Sequence, residues 1–217
     1  MATFVLIHGG GGSGWDWHLV GAELRRRGHD VVAPDLPIED PAAKLADFRD
    51  AVVSAVGERT DVVVAGHSYG GFTAPLVADR LNARLLVFVA GMVPAPGETP
   101  GQWWKNSGYT SPAEKLSVVE QYLADVPAEL AEENVARGRD QRSAEWDDPW
   151  PLAAWPGIPT KVLLCREDRL FPPDLQRHVA KERLGITADE ISGSHMVLLS
   201  RPVELAERLE GYLDSLQ

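Results

Sequence analysis

Ser68, Asp168 and His195 are the residues whose types and order could do chemistry together. A serine hydroxyl is a poor nucleophile at neutral pH. It attacks a carbonyl when a base takes its proton and an acid orients that base. Ser68 stands in Gly66-His67-Ser68-Tyr69-Gly70, a G-x-S-x-G pattern. Such a turn is too tight for side chains at its flanks and lifts the hydroxyl clear of a sheet edge. The five-residue pattern also arises by chance in glycine-rich chains, where it marks an ordinary turn packing a helix onto a sheet. The surrounding chain has to decide.

Six histidines could supply the base. His18, His29 and His178 fall on or beside helix-like segments and read as solvated. His8 and His67 lie inside two glycine loops, where a structural hydrogen bond suits them better than proton transfer. His195, in Ile191-Ser192-Gly193-Ser194-His195-Met196, follows the last apolar run and precedes the last helix. In the order Ser, then acid, then His, it is the expected general base. The acid is expected after Lys161–Cys165, in Arg166-Glu167-Asp168-Arg169-Leu170-Phe171-Pro172. Asp168 is preferred, because its shorter side chain loses less rotamer freedom on orienting an imidazole. Glu167 is the alternative. A tetrahedral intermediate also needs oxyanion donors. The Tyr69 amide and the Gly10 amide are the candidates.

The elements that position these residues come from apolar runs and their breaks. Thr3–Ile7, Asp30–Ala33, Val62–Ala65, Arg84–Ala90, Lys161–Cys165 and Ala188–Ile191 read as strands. Trp17–Arg27, Pro41–Val56, Gly70–Leu81, Pro173–Leu184 and Pro202–Leu216 read as helices, with Pro75 bending the third or delaying its start. Six short strands with helical crossovers imply a mostly parallel sheet covered on both faces. The expected catalytic domain is 1–92 plus 157–217. Residues 93–156 break the rhythm with repeated prolines and read as a small helical lid, with helices near 112–125 and 127–139. Five of the seven tryptophans fall there (Trp103, Trp104, Trp146, Trp150 and Trp155), so the insertion either builds its own core from them or lends one or two to a pocket.

The first loop, His8-Gly9-Gly10-Gly11-Gly12-Ser13-Gly14-Trp15, brings bare amides near a ligand. No G-K-[ST] follows, so it is not a Walker A loop. A dinucleotide fingerprint would need Asp35 as its acidic residue, and Pro34 and Pro37 bracket that position. The net charge of −11 disfavours nucleic acid and anionic membrane as main partners. The single cysteine, Cys165, lies in an apolar run and reads as an inert strand thiol, compatible with a cytoplasmic setting. No targeting leader or membrane span is read, and no metal or cofactor site is expected.

Taken together, these motifs resemble the α/β-hydrolase superfamily. The likeness is to its small-lidded branch of plant methyl-ester esterases, hydroxynitrile lyases and bacterial esterases. The matching residues are His8-Gly9 with Trp15 and Trp17, the Gly66–Gly71 elbow, Cys165-Arg166-Glu167-Asp168 with Pro172, and His195 through Pro202. Ser13 stands where the branch carries its second glycine, and the two extra N-terminal strands of the full fold are not seen, leaving about six. The resemblance implies a Ser68–His195–Asp168 triad with Gly10 and Tyr69 as oxyanion donors. Gly9, Trp103, Trp104, Phe171 and Met196 are the expected substrate contacts. The branch's lyases place a lysine directly after the histidine, where this chain has Met196, and carry Thr and Glu where it has Gly9 and His67. The expected activity is therefore cofactor-independent cleavage of a small to medium apolar ester. A lyase on the same triad and a non-catalytic ligand-binding scaffold are the rival readings. A homodimer is compatible with the sequence.

Overall fold

The computed structural model describes residues 1–110 and 115–216. Six strands form one sheet: β1 (Thr3–Ile7), β2 (Asp30–Val32), β3 (Val62–His67), β4 (Leu85–Val89), β5 (Thr160–Cys165) and β6 (Asp189–Ile191). Their order is β2-β1-β3-β4-β5-β6, and every neighbouring pair is parallel. A parallel sheet buried on both faces demands near-continuous apolar runs, and β1, β3 and β4 are buried throughout.

Successive side chains point to opposite faces. Val5 and Ile7 join Phe48, Val52, Val77 and Val179 in one core layer, which carries α2 (Leu45–Val56), α3 (Ala74–Arg80) and α7 (Pro173–Leu184). Phe4 and Leu6 join Val20, Leu24, Leu205 and Leu209 in the other, beneath α1 (His18–Arg26) and α9 (Pro202–Asp214). The short α8 (Val197–Ser200) precedes α9. Among the described residues no helix is long and apolar enough to cross a membrane.

Register positions the site. Ile7 pairs with Gly66, His67 with Val89, and Cys165 with Ile191. The loops after β1, β3, β5 and β6 therefore emerge along one edge. Three expected helices start differently from their sequence reading; α2 begins at Leu45 rather than Pro41. The first opens as a 3-10 turn over Gly14–Trp17, capped by the Ser13 side chain. The elbow opens as a 3-10 turn over Ser68–Gly71, and α3 follows from Ala74 with Pro75 in its first turn, where a missing N–H leaves no bond unmade.

The insertion between β4 and β5 holds α4 (Pro100–Asn106), α5 (Val118–Tyr122), α6 (Ala128–Ala136) and a 3-10 turn at Ala144–Asp147. The helix expected over 112–125 begins in part outside the described residues. α4 was not expected in this proline-interrupted stretch. Thr99 instead caps it in a reciprocal box with Gln102, and Pro100 takes the first turn. Glu98 and Arg183 (3.0 Å) join the insertion to α7.

Candidate active site

Ser68 sits at the end of the buried strand β3 with φ +51, a left-handed backbone that a serine adopts only under constraint. The constraint is local crowding. A Cβ on Gly70 would lie 2.6 Å from the His8 carbonyl oxygen, and one on Gly71 would lie 2.0 Å from the Met92 carbonyl oxygen. The Met92 amide donates to the Ser68 carbonyl at 2.9 Å. Only bare backbone fits, so the turn closes on itself and holds Ser68 at the sheet edge.

His195 and Asp168 meet across β5 and β6. The His195 Nδ1–H donates to Asp168 Oδ2 at 2.8 Å, and both residues are buried. A carboxylate acceptor at Nδ1 leaves Nε2 as the acceptor nitrogen. Nε2 is buried and has no partner among the described residues. Asp168 is itself fixed. Its Oδ1 accepts the Leu170 and Phe171 amides at 2.8 and 2.9 Å, and Gln176 Nε2 donates to Oδ2 at 3.4 Å. Glu167 turns elsewhere, accepting the Gly193 amide. Of the two expected carboxylates, Asp168 meets the histidine.

His8 and His67 serve the backbone. His8 Nδ1–H donates to the Gly9 carbonyl (2.8 Å), and its Nε2 accepts the Leu36 amide (3.0 Å). Burial holds its pKa down to about 4. His67 Nε2–H donates to the His195 carbonyl (2.9 Å), and burial likewise pushes its pKa well down. Both stay neutral and act as struts. His29 is not solvated as expected, because Glu210 lies 3.0 Å from its Nε2 and encloses it.

The glycine loop lies against the elbow. A Cβ on Gly9 would come within 3.0 Å of Ser68 Cβ, and one on Gly10 within 3.6 Å of Tyr69 Cβ. Among the described residues neither the Gly10 nor the Tyr69 amide donates to a protein group. The edge thus gathers a constrained hydroxyl, an oriented imidazole and two free N–H groups.

Residues 4–208 match the Alpha/beta hydrolase family. The chain belongs to that family. Relatives of this alpha/beta hydrolase include ester hydrolases. Polyneuridine aldehyde esterase of Rauvolfia serpentina is 24% identical over 258 residues, spanning 98% of this chain and 96% of its own. The carbendazim hydrolyzing esterase of Nocardioides sp. (strain SG-4G) is 36% identical over 110 residues, 46% of each chain. A pyrethroid hydrolase structure from Sphingobium faniae JZ-2 shares the fold, with a TM-score of 0.79, 22% identity, and coverage of 99% of this chain and 98% of that one.

A cavity of about 320 Å3 opens between the glycine loop and the insertion; Ser68 and His195 do not line it, but Gly10 and Met196, next to His195, do. Gly10, Gly11, Gly12 and Met196 wall it on the sheet side, and Tyr122, Leu123, Val135 and Asn134 on the insertion side. Of the expected substrate contacts, Met196 lines it and Gly9 lies beside Ser68. Trp103 does not line it. It is buried in the core with its indole N–H on the Val93 carbonyl (3.0 Å). Phe171 packs edge-on against the His195 ring (5.2 Å, 86°), and Trp104 packs on Phe171 behind it. None of the five insertion tryptophans walls this cavity. Trp150 is core like Trp103, and Trp146 stacks on Tyr69. Small and aliphatic residues do that work instead.

Sequence reading missed the residues through which the insertion grips the edge. The Tyr122 carbonyl accepts the Met196 amide (3.0 Å), and Asp125 accepts the Ser194 amide (3.1 Å). At the other end the Arg139 amide donates to the Gly11 carbonyl (2.8 Å), and Gln141 Oε1 accepts the Gly11 amide (2.9 Å). Asn134 donates to Asp16 (3.0 Å), whose pKa burial raises to about 6. No spacing rule marks these residues, since each partner is far away in sequence. Among the described residues no group of three His, Cys, Asp or Glu side chains gathers as a metal site.

Proposed function

We propose that this hydrolase is a cofactor-independent serine ester hydrolase that cleaves a small to medium, largely uncharged ester through an acyl-enzyme on Ser68. The observation that carries the reading is the buried Asp168–His195 pair, with Nε2 left unpartnered on the edge where Ser68 emerges. In this reading His195 Nε2 takes the Ser68 proton as Oγ attacks the ester carbonyl. The Asp168 carboxylate stabilises the imidazolium that forms. The Gly10 and Tyr69 amides receive the oxyanion. His195 then protonates the leaving alcohol, and a water activated by the same nitrogen releases the acid.

The cavity supports the substrate class. Its size falls in the range of small-molecule pockets; Val118, Tyr122, Leu123, Val135 and Met196 give it apolar walls, and Asp16 and Arg137 give it one polar side. In this reading the insertion is the lid that closes it. The test is hydrolysis of p-nitrophenyl acetate and butyrate, with fluorophosphonate labelling, by the parent and Ser68→Ala. The expected result is loss of labelling and a fall in kcat of about 10⁴-fold or more. Undiminished hydrolysis by Ser68→Ala overturns the assignment.

A further inference from the structure

We infer that Glu145 and Gln141 of the insertion are positioning residues for the oxyanion hole, joining its two halves through one buried carboxyl group. This rests on the acyl-transfer reading above. Glu145 is fully buried. Its Oε1 accepts two hydrogen bonds, from the Tyr69 hydroxyl (3.1 Å) and from Gln141 Nε2 (2.6 Å). The opposite end of the same Gln141 amide accepts the Gly11 amide at 2.9 Å. That polarity fixes the amide, because the reverse orientation would set donor against donor at Gly11. One short network therefore runs from the residue after Ser68, through Glu145 and Gln141, to the glycine loop.

The need for such a clamp follows from composition. Gly9 to Gly12 are four successive glycines, the stretch of the chain with the greatest backbone freedom. Gly11 itself has φ +66. An oxyanion donor helps only if it is aimed before charge develops. Gly11 is held on both sides, its N–H by Gln141 and its carbonyl by Arg139 (2.8 Å). A Cβ on Gly10 would meet Gln141 Oε1 at 3.1 Å, so the glutamine lies directly against the donor residue. With the Gly11 and Gly12 N–H groups occupied, the Gly10 N–H is left for a ligand. On the other half, burial and the neighbouring Glu145 push the Tyr69 hydroxyl pKa up, so it remains a donor and anchors the side chain whose own amide is the second oxyanion donor. Trp146 stacks on that ring at 5.9 Å, next in sequence to Glu145.

Four variants test this: Glu145→Gln, Glu145→Ala, Gln141→Ala and Tyr69→Phe. Glu145→Gln keeps an acceptor for both donors and is expected to hold kcat within about threefold of the parent. Glu145→Ala and Gln141→Ala are expected to lower kcat about tenfold or more, with KM within about threefold. Tyr69→Phe loses one arm and is expected to lower kcat about threefold. Affinity for a trifluoromethyl ketone, which forms a tetrahedral adduct on Ser68, falls in step with kcat/KM; a merely structural role would leave it unmoved. Glu145→Ala added to Gln141→Ala gives little further loss, since both cut one network. Gln141 is only part-buried, so its variant keeps the test open if Glu145→Ala fails to fold. Unchanged kcat and unchanged ketone affinity in both Gln141→Ala and Tyr69→Phe overturn the inference. So does a loss in Glu145→Gln as large as in Glu145→Ala. Ser68→Ala run alongside separates the two claims: activity surviving there fails the acyl-transfer reading, whereas activity lost there but intact in Gln141→Ala and Tyr69→Phe fails only the positioning role.

Discussion

At the elbow, backbone packs against backbone with no room for a side chain; the insertion meets the same edge through hydrogen bonds, some from backbone and some from side chains. Gly66, Gly70 and Gly71 sit where an added Cβ would fall 2.0–2.8 Å from carbonyl oxygens. The insertion touches the same edge through Tyr122, Asp125, Asn134, Arg139, Gln141 and Glu145, each by a hydrogen bond to a residue far away in the sequence. The first kind of contact is enforced by volume and has no partial state. The second is a set of polar bonds, each worth about 1 kcal/mol net, that can be lost singly. The edge therefore holds Ser68 rigidly, while the insertion is tied to the glycine loop and walls the cavity on a looser tether.

Matched substitutions break the comparison if it is wrong. Gly71→Ala drives a methyl into the Met92 carbonyl, and the expected cost is about 3 kcal/mol or more, read by denaturant unfolding. Asp125→Ala removes the acceptor for Ser194, beside His195. Its expected cost is about 1–2 kcal/mol. If His195 is the general base proposed above, the variant's kcat is expected to fall at least tenfold, because a small displacement of the base is expensive. Equal stability losses in the two, or unchanged kcat in Asp125→Ala, would erase the distinction.

The same difference explains what could be read from the chain. β1, β3 and β4 announced themselves as apolar runs, because a doubly covered parallel strand has no polar face to hide. Gly66, Gly70 and Gly71 were readable for a similar reason: close backbone approach leaves a mark on residue identity. Order along the chain then picked His195 and Asp168, which the fold brings to 2.8 Å. The insertion left no such mark. Glu145 looks like one more acidic residue in a polar stretch, yet it is fully buried. Trp103 looks like a pocket wall, yet its bulk goes into the main core layer, among Val93, Phe171 and Val179. Long-range side-chain pairing has no period and no spacing for a sequence to display.

At the seam between the two regions stands Asp16, on the glycine-loop side but bonded to Asn134 of α6. Its pKa is raised by burial from 3.8 to about 6, so between those pH values the folded chain keeps a proton that the unfolded chain has lost. Stability from Asp16 therefore falls as pH rises through that window. His8 behaves oppositely: burial lowers it from 6.5 to about 4, so the unfolded chain holds the extra proton and stability rises with pH. The two slopes oppose each other between about pH 4 and 6. Asp16→Asn removes one of them. Relative to the parent, its stability is expected to climb more steeply from pH 4 to 6, by about 1 kcal/mol per unit. Parallel curves for parent and variant would show that Asp16 does not titrate as a buried group.

The smallest expected effect probes the elbow itself. Ser68 carries φ +51 on a residue that is not glycine, a conformation costing about 1 kcal/mol. The surrounding contacts hold it there, and the hydroxyl is what gains. Ser68→Ala and Ser68→Gly both delete that hydroxyl, and both are expected to be inactive. They differ in the Cβ alone. Alanine keeps the clash with its own carbonyl, whereas glycine adopts this backbone freely, although its more flexible unfolded chain takes back part of the gain. Ser68→Gly is therefore expected to unfold about 1–2 °C above Ser68→Ala in calorimetry at one scan rate. Coincident melting would mean that the elbow stores no strain at Ser68, and that volume at Gly70 and Gly71 alone shapes the turn. A higher melting point for the inactive glycine variant would mean that this chain gives up stability at one backbone position to lift its nucleophile from the sheet.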